Sequence, residues 1–496
     1  MSPVPTRASH TRVLAALAVL AMLAAACTDD SDGHVATGTP SLSARPEAAT
    51  KWPIKHVVFI IKENRSFDNL FGRFPGADGS TTGQMWLGDT WRNGGTWQDE
   101  VPFTWNGPPY AEKTVTVPLT TPRYAQWRYP QDLPHDYKQF KIDYRNGHMD
   151  GFANNPGAAE LAYTQVKPEW IPNYWHWAQQ NVLADNFFAS AVGPSFPNHL
   201  MTIAATSGNT TDNPDQPRAA LSAWQAKGYA KTWGCDMQQG SIRLRDSEGK
   251  VIKRVSPCFD FKTEGDLLND AGIPWNYYGA TSKQVGYIWS AYSAVDRYRN
   301  DQAMWDAHVK PVDSVVSDIQ SIGLDPVTWI TPRFEQSEHP EWNLCYGENW
   351  TTRIVNAIMA SPDWNSTAVF ITWDDWGGFY DHVPPINVDA FGYGFRVPLL
   401  VISPYAKQGY IDSHEGEFSS VLRFIEDNWG LDQLTKRDGN ADNMSYDFDF
   451  LQEPRPPDPL PERKCQGSET AKPPSWDSNA DVWIPPHVVP VASPSP

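Results

Sequence analysis

Two unbroken apolar, β-branched runs each end in acidic residues, and this pairing constrains the fold of the chain more than any other feature. Val57-Val58-Phe59-Ile60-Ile61 leads to Glu63-Asn64-Arg65-Ser66-Phe67-Asp68, and Ala368-Val369-Phe370-Ile371 leads to Asp374-Asp375-Trp376-Gly377-Gly378-Phe379-Tyr380-Asp381-His382. Runs of this length predict strands buried on both faces, as in a parallel sheet covered by helices. In an open α/β sheet the carboxyl ends of the strands form the ligand crevice, so acidic groups about 310 positions apart can meet at one site.

The rest of the chain extends that pattern. Val327-Thr328-Trp329-Ile330-Thr331 predicts a third strand, followed by Glu338-His339-Pro340, and Arg396 to Ser403 predicts a fourth. Helical spacing joins Ile171, Tyr174, Trp175 and Ala178, then Trp350, Ile354, Ala357 and Ile358, then Phe418, Val421, Leu422 and Ile425. Another helix is expected near Asn198, carrying Met201 and Ile203. Strand followed by helix recurs, which predicts a doubly wound α/β sheet sandwiched by helices. Residues 84–130, rich in Trp, Pro, Gly and Thr, read as an irregular or β-rich insertion.

Arg7 and Arg12 precede an apolar stretch, Val13 to Ala26, that is too short to span a bilayer comfortably and ends at Cys27. Residues 1–27 therefore read as a signal peptide, of lipoprotein type if Cys27 is the acylated residue and of ordinary secretory type otherwise. Residues 28–50 read as a polar linker, 51–452 as the catalytic domain, and 453–496 as a proline-rich tail. This predicts a secreted or cell-envelope protein, lipid-anchored at Cys27 on the outer face of a bacterial membrane. Cys235, Cys258, Cys345 and Cys465 suit disulfides in an oxidising compartment, with Cys235 and Cys258 the natural local pair. The chain carries a formal charge of −18, which argues against nucleic acid as a partner.

A hydroxyl island completes the set, Gly193-Pro194-Ser195-Phe196-Pro197-Asn198-His199. Together with the two acidic islands, Glu338-His339-Pro340 and Ser403-Pro404-Tyr405-Ala406-Lys407, it resembles the bacterial phosphoesterase family of phosphatidylcholine-type phospholipases C and respiratory-burst-inhibiting acid phosphatases. The resemblance covers residues 52 to 431 in the family's order. It implies an alkaline-phosphatase-like α/β sandwich with a metal-supported hydroxyl nucleophile, which is threonine in many phospholipase members and serine in the phosphatase group.

On this reading Ser195 is the nucleophile, placed at a helix start where backbone N–H groups favour an anion. Glu63, Asn64, Asp374 and Asp375 supply oxygen ligands for one divalent ion, with Ca, Mg, Zn and Mn all open. His135 and His339 match family histidines and are assigned to leaving-group protonation and phosphoryl stabilisation. His382 either joins them or holds the loop after the metal ligands, and His199 reads as a packing residue. Two departures bear on substrate. Trp275-Asn276-Tyr277-Tyr278-Gly279 lacks an adjacent histidine pair found in some phosphatase members, and Trp376 stands where phospholipase members often have histidine. Phospholipase C activity on phosphatidylcholine-like lipids is the leading expectation, acid phosphatase activity the second, and a non-catalytic surface binding module the third.

Overall fold

A computed structural model describes residues 48–86, 114–121, 132–154, 159–340 and 342–465. The signal segment, most of the linker, residues 87–113 and 122–131, and the tail from 466 lie outside the described residues. The core of the fold is one eight-stranded sheet. Its strands, in chain order, are β1 (His56–Lys62), β2 (Val182–Ala184), β3 (Trp275–Gly279), β4 (Val309–Pro311), β5 (Val327–Ile330), β6 (Thr367–Trp373), β7 (Leu399–Ile402) and β8 (Tyr410–Asp412). They lie in the order β8-β2-β7-β6-β1-β5-β3-β4. β1 pairs in parallel with β5 on one side and β6 on the other, and only β7 runs against its neighbours.

Alternation along the strands divides the core into two layers. Val57, Phe59 and Ile61 of β1 face one apolar cluster with Ala368 and Phe370 of β6. Val58 and Ile60 face the other, with Val369 and Ile371. Helices Ser195–Ala204 and Phe418–Trp429 cover the first face. Pro172–Gln180, Val315–Ile322 and Leu344–Ala360 cover the second. Burying a Val, Ile or Phe side chain contributes about 1.5–3 kcal/mol, so both faces must be covered for the runs to be stable as strands. The expected mixed α/β layering is present, with one antiparallel strand in an otherwise parallel sheet.

Overlapping the 84–130 stretch, Thr82–Trp86 pairs antiparallel with Thr114–Pro118. Cys235 is bonded to Cys258, and Cys345 to Cys465. The second bridge fastens the start of the tail to the helix Leu344–Ala360, where Arg463 also pairs with Glu348 at 2.5 Å.

Candidate active site

β1 and β6 are parallel neighbours, so Glu63-Asn64 and Asp374-Asp375 emerge side by side at the same sheet edge. All four residues are fully buried. Asn64 adopts φ +56°, a left-handed turn that Asn tolerates, and its N–H donates to Asp374 Oδ1 at 3.0 Å. Gly377 N–H donates to Asp375 Oδ1 at 2.7 Å. A Cβ on Gly377 would lie 2.7 Å from the Asn64 carbonyl oxygen, so glycine is needed for the two islands to approach.

Ser195 is the first residue of its helix and is 2% exposed. Its Oγ lies 3.4 Å from Glu63 Oε2 and 3.3 Å from Asp375 Oδ2. Asn198 fixes the approach to this helix, accepting from Ala191 N–H at 2.9 Å and donating to the carbonyls of Ala191, Gly193 and Pro194. The helix thus begins at Ser195, the helix start expected for the nucleophile.

His135 and His339 face each other with ring centroids 6.0 Å apart, and Asp132 lies 3.7 Å from the first and 3.9 Å from the second. His135 Nδ1 bonds the Leu133 carbonyl at 2.6 Å and its Nε2 meets the Asn64 amide at 2.9 Å. Trp376 sets its ring edgewise to His135 and donates to Asp143 Oδ2 at 3.0 Å. His382 is not brought to this cluster. Its Nδ1 meets Asp68 Oδ2 at 2.7 Å and its Nε2 meets Asp78 at 3.3 Å. It shares no hydrogen bond or ion pair with Ser195, Glu63 or Asp374 among the described residues. Asp68 and Asp381 also pair with the buried Arg396, so His382 belongs to an ion network bracing the loop after Asp375.

The sequence reading missed two participants. His199, one turn after Ser195, is not merely packed. Its Nε2 contacts Glu63 Oε1 at 2.8 Å and lies 3.8 Å from Asp374 Oδ2. Glu338 is the other. Buried at φ +73°, it meets Lys62 Nζ at 3.4 Å, Tyr174 Oη at 2.5 Å and Trp373 Nε1 at 3.1 Å. Lys62, Trp373 and Glu338 immediately precede Glu63, Asp374 and His339, so one buried cluster ties together the three segments that carry site residues.

The buried carboxylates of the cluster crowd one another. Burial, then the neighbouring Asp374, push Glu63 well above the ordinary carboxylate range, and the same causes raise Asp375. Burial lowers His199 to about 4. For His135 burial works the other way, but the carboxylates of Asp132 and Asp375 outweigh it and raise the ring to about 9. Asp374 Oδ2 is buried without a hydrogen bond. The Asn64 amide has two orientations. With nitrogen inward it donates to Glu63 Oε2 and Asp374 Oδ1 at 2.9 and 3.0 Å and accepts from His135. With oxygen inward it donates to His135 instead, which requires that ring to be neutral at Nε2, and the oxygens of Asn64, Glu63 and Asp374 then converge, an arrangement a cation would stabilise. Glu63, His199 and Asp374 place ligand atoms within 4.8 Å of one another, as do Asp132, His135 and His339. The oxygens of Glu63, Asn64, Asp374 and Asp375 are donors of the kind a divalent cation takes.

A family model described as the Phosphoesterase family matches residues 54–432. The chain belongs to this family. It is 26% identical over 441 residues to the hemolytic phospholipase C of Pseudomonas aeruginosa, covering 79% of this chain and 55% of that protein. Phospholipase C B of Mycobacterium tuberculosis is 24% identical over 453 residues, covering 82% of this chain and 80% of that one. The chain spans just over half the length of the Pseudomonas relative. A solved alkaline phosphatase superfamily protein from Vibrio parahaemolyticus aligns at 13% identity and a TM-score of 0.31, over 55% of this chain and 64% of that one.

Proposed function

We propose that this chain is a metal-dependent phosphoester hydrolase that uses Ser195 as its nucleophile and acts as a phospholipase C on phosphatidylcholine-like lipids. One observation carries the reading: Ser195 Oγ, at a helix start, meets the carboxylates of Glu63 and Asp375 that emerge from two adjacent parallel strands. Membership of the phosphoesterase family and likeness to phospholipases C support the reaction class.

A divalent cation held by Glu63, Asn64, Asp374 and Asp375 would supply charge neutralisation at the phosphoryl oxygens. Ser195 gives its proton to the Glu63–Asp375 carboxylates as its oxygen bonds to phosphorus and the bond to the diacylglycerol oxygen breaks. The departing alkoxide takes a proton from the His135–His339 pair. Water then attacks phosphorus and gives a proton back to the His135–His339 pair while the bond from Ser195 Oγ to phosphorus breaks; Ser195 recovers its proton from the Glu63–Asp375 carboxylates, and phosphocholine leaves. The net negative charge of the chain favours a zwitterionic head group over an anionic one.

Serine in place of threonine, together with Trp376 in place of histidine, favours the phosphomonoesterase as second reading. A paired assay on one purified sample decides between them. Diacylglycerol release from phosphatidylcholine is expected to exceed phosphate release from a soluble monoester at equal concentration, and monoester turnover with no diacylglycerol would hand the case to the phosphatase. The basic, apolar N-terminus ending at Cys27 further supports export with a lipid anchor.

A further inference from the structure

Ser195 and His199 stand one turn apart on one helix and reach opposite oxygens of the same carboxylate. Ser195 Oγ faces Glu63 Oε2 at 3.4 Å, while His199 Nε2 bonds Glu63 Oε1 at 2.8 Å. Asp374 is divided in the same way. Its Oδ1 accepts from the Asn64 N–H at 3.0 Å, and its Oδ2, otherwise without a hydrogen bond, lies 3.8 Å from His199 Nε2. Each carboxylate thus turns one oxygen toward Asn64, that of Glu63 lying beside Ser195 as well, and the other toward a single imidazole.

We propose that His199 is a positioning residue that bonds the outer oxygen of Glu63 and stands against that of Asp374, so that their inner oxygens converge at Asn64, beside the Glu63–Ser195 contact. The inference rests on the metal-dependent reading above. Its chemistry is that of a group holding a ligand rather than binding the ion. A carboxylate whose outer oxygen accepts an N–H bond has one orientation to offer instead of two, and partners of this kind change metal affinity about 10–100-fold when removed. Because the same helix presents Ser195, the clamp also sets the nucleophile against the carboxylates, with no loop between them to blur the spacing.

The test compares wild-type protein with His199→Ala and His199→Gln, the amide of glutamine being able to donate from about the position of Nε2. Chelator competition is run with whichever of Ca2+, Mg2+, Zn2+ and Mn2+ the wild-type protein retains through purification, and circular dichroism checks the fold. His199→Ala should bind that ion about 10–100-fold more weakly at unchanged secondary structure, and His199→Gln should recover most of the loss. Wild-type affinity in His199→Ala would overturn the clamp. Equal loss in the two variants would also overturn it, because a direct ligand behaves that way. A wild-type protein that takes up no ion would overturn the metal reading and the clamp with it. If His199→Ala does not fold, His199→Gln decides: near-native affinity supports the clamp, and loss to the level of Glu63→Gln refutes it.

Discussion

Replacing Lys62 with Met removes the cation from a pair in which neither side chain is exposed to solvent. At 3.4 Å the attraction to Glu338 is about 5 kcal/mol for an effective dielectric of about 20. Burial opposes it. Desolvation, only partly offset by Glu338, lowers Lys62 from 10.5 to about 8, which corresponds to about 3 kcal/mol spent on keeping the ammonium charged. The pair as a whole therefore stabilises little, whereas Met at this position strips the donor from Glu338, buried between Tyr174 and Trp373, and from the carbonyls of Gln336 and Gly347. Lys62→Met should lose about 3–5 kcal/mol, and Lys62→Met with Glu338→Gln should regain most of that. The assay is denaturant unfolding of the three proteins side by side. Folded Lys62 binds its proton more weakly than the unfolded residue does. Its contribution to stability therefore rises with pH from about 8 to 10.5, and the gap between wild type and Lys62→Met should widen over that window. A single variant as stable as wild type, or a double variant no better than the single, would refute the reasoning.

Further outcomes follow from the site and from the N-terminus. Glu63→Gln and Asp374→Asn should each lose bound metal and most turnover while remaining folded; elemental analysis with undiminished metal in both would remove them from the ligand set. Cys27→Ser should release the protein from the membrane fraction or leave an unprocessed precursor, and a native protein that incorporates no labelled fatty acid would exclude the anchor.

The parts of the fold that were legible in the sequence are those specified by local physics. β1, β5 and β6 are continuous apolar runs that cannot be stable unless covered on both faces, and the helices over them show their buried stripes. The three-residue strands β2, β4 and β8 carry no such signal, because their place depends on partners far away in sequence. β7 reads as a buried strand, but nothing local encodes that it runs antiparallel. In the site, acidic residues after strand ends pointed to Glu63, Asn64, Asp374 and Asp375. His199 and Glu338 were visible as letters in their motifs, but their roles depend on distances across the fold, 2.8 Å to Glu63 and 3.4 Å to Lys62. The same holds for His382, whose motif position suggested chemistry while the structure ties it to Asp68 and Asp78.

As the nucleophile, Ser195 would form a covalent bond to phosphorus during turnover. Rapid acid quench of the protein during turnover of phosphatidylcholine, followed by mass spectrometry of the peptide containing Ser195, tests it directly. A phosphocholine adduct is expected on Ser195 in the wild-type protein, and in Ser195→Ala no adduct with turnover reduced by roughly several orders of magnitude. Turnover at the wild-type rate in Ser195→Ala would contradict it.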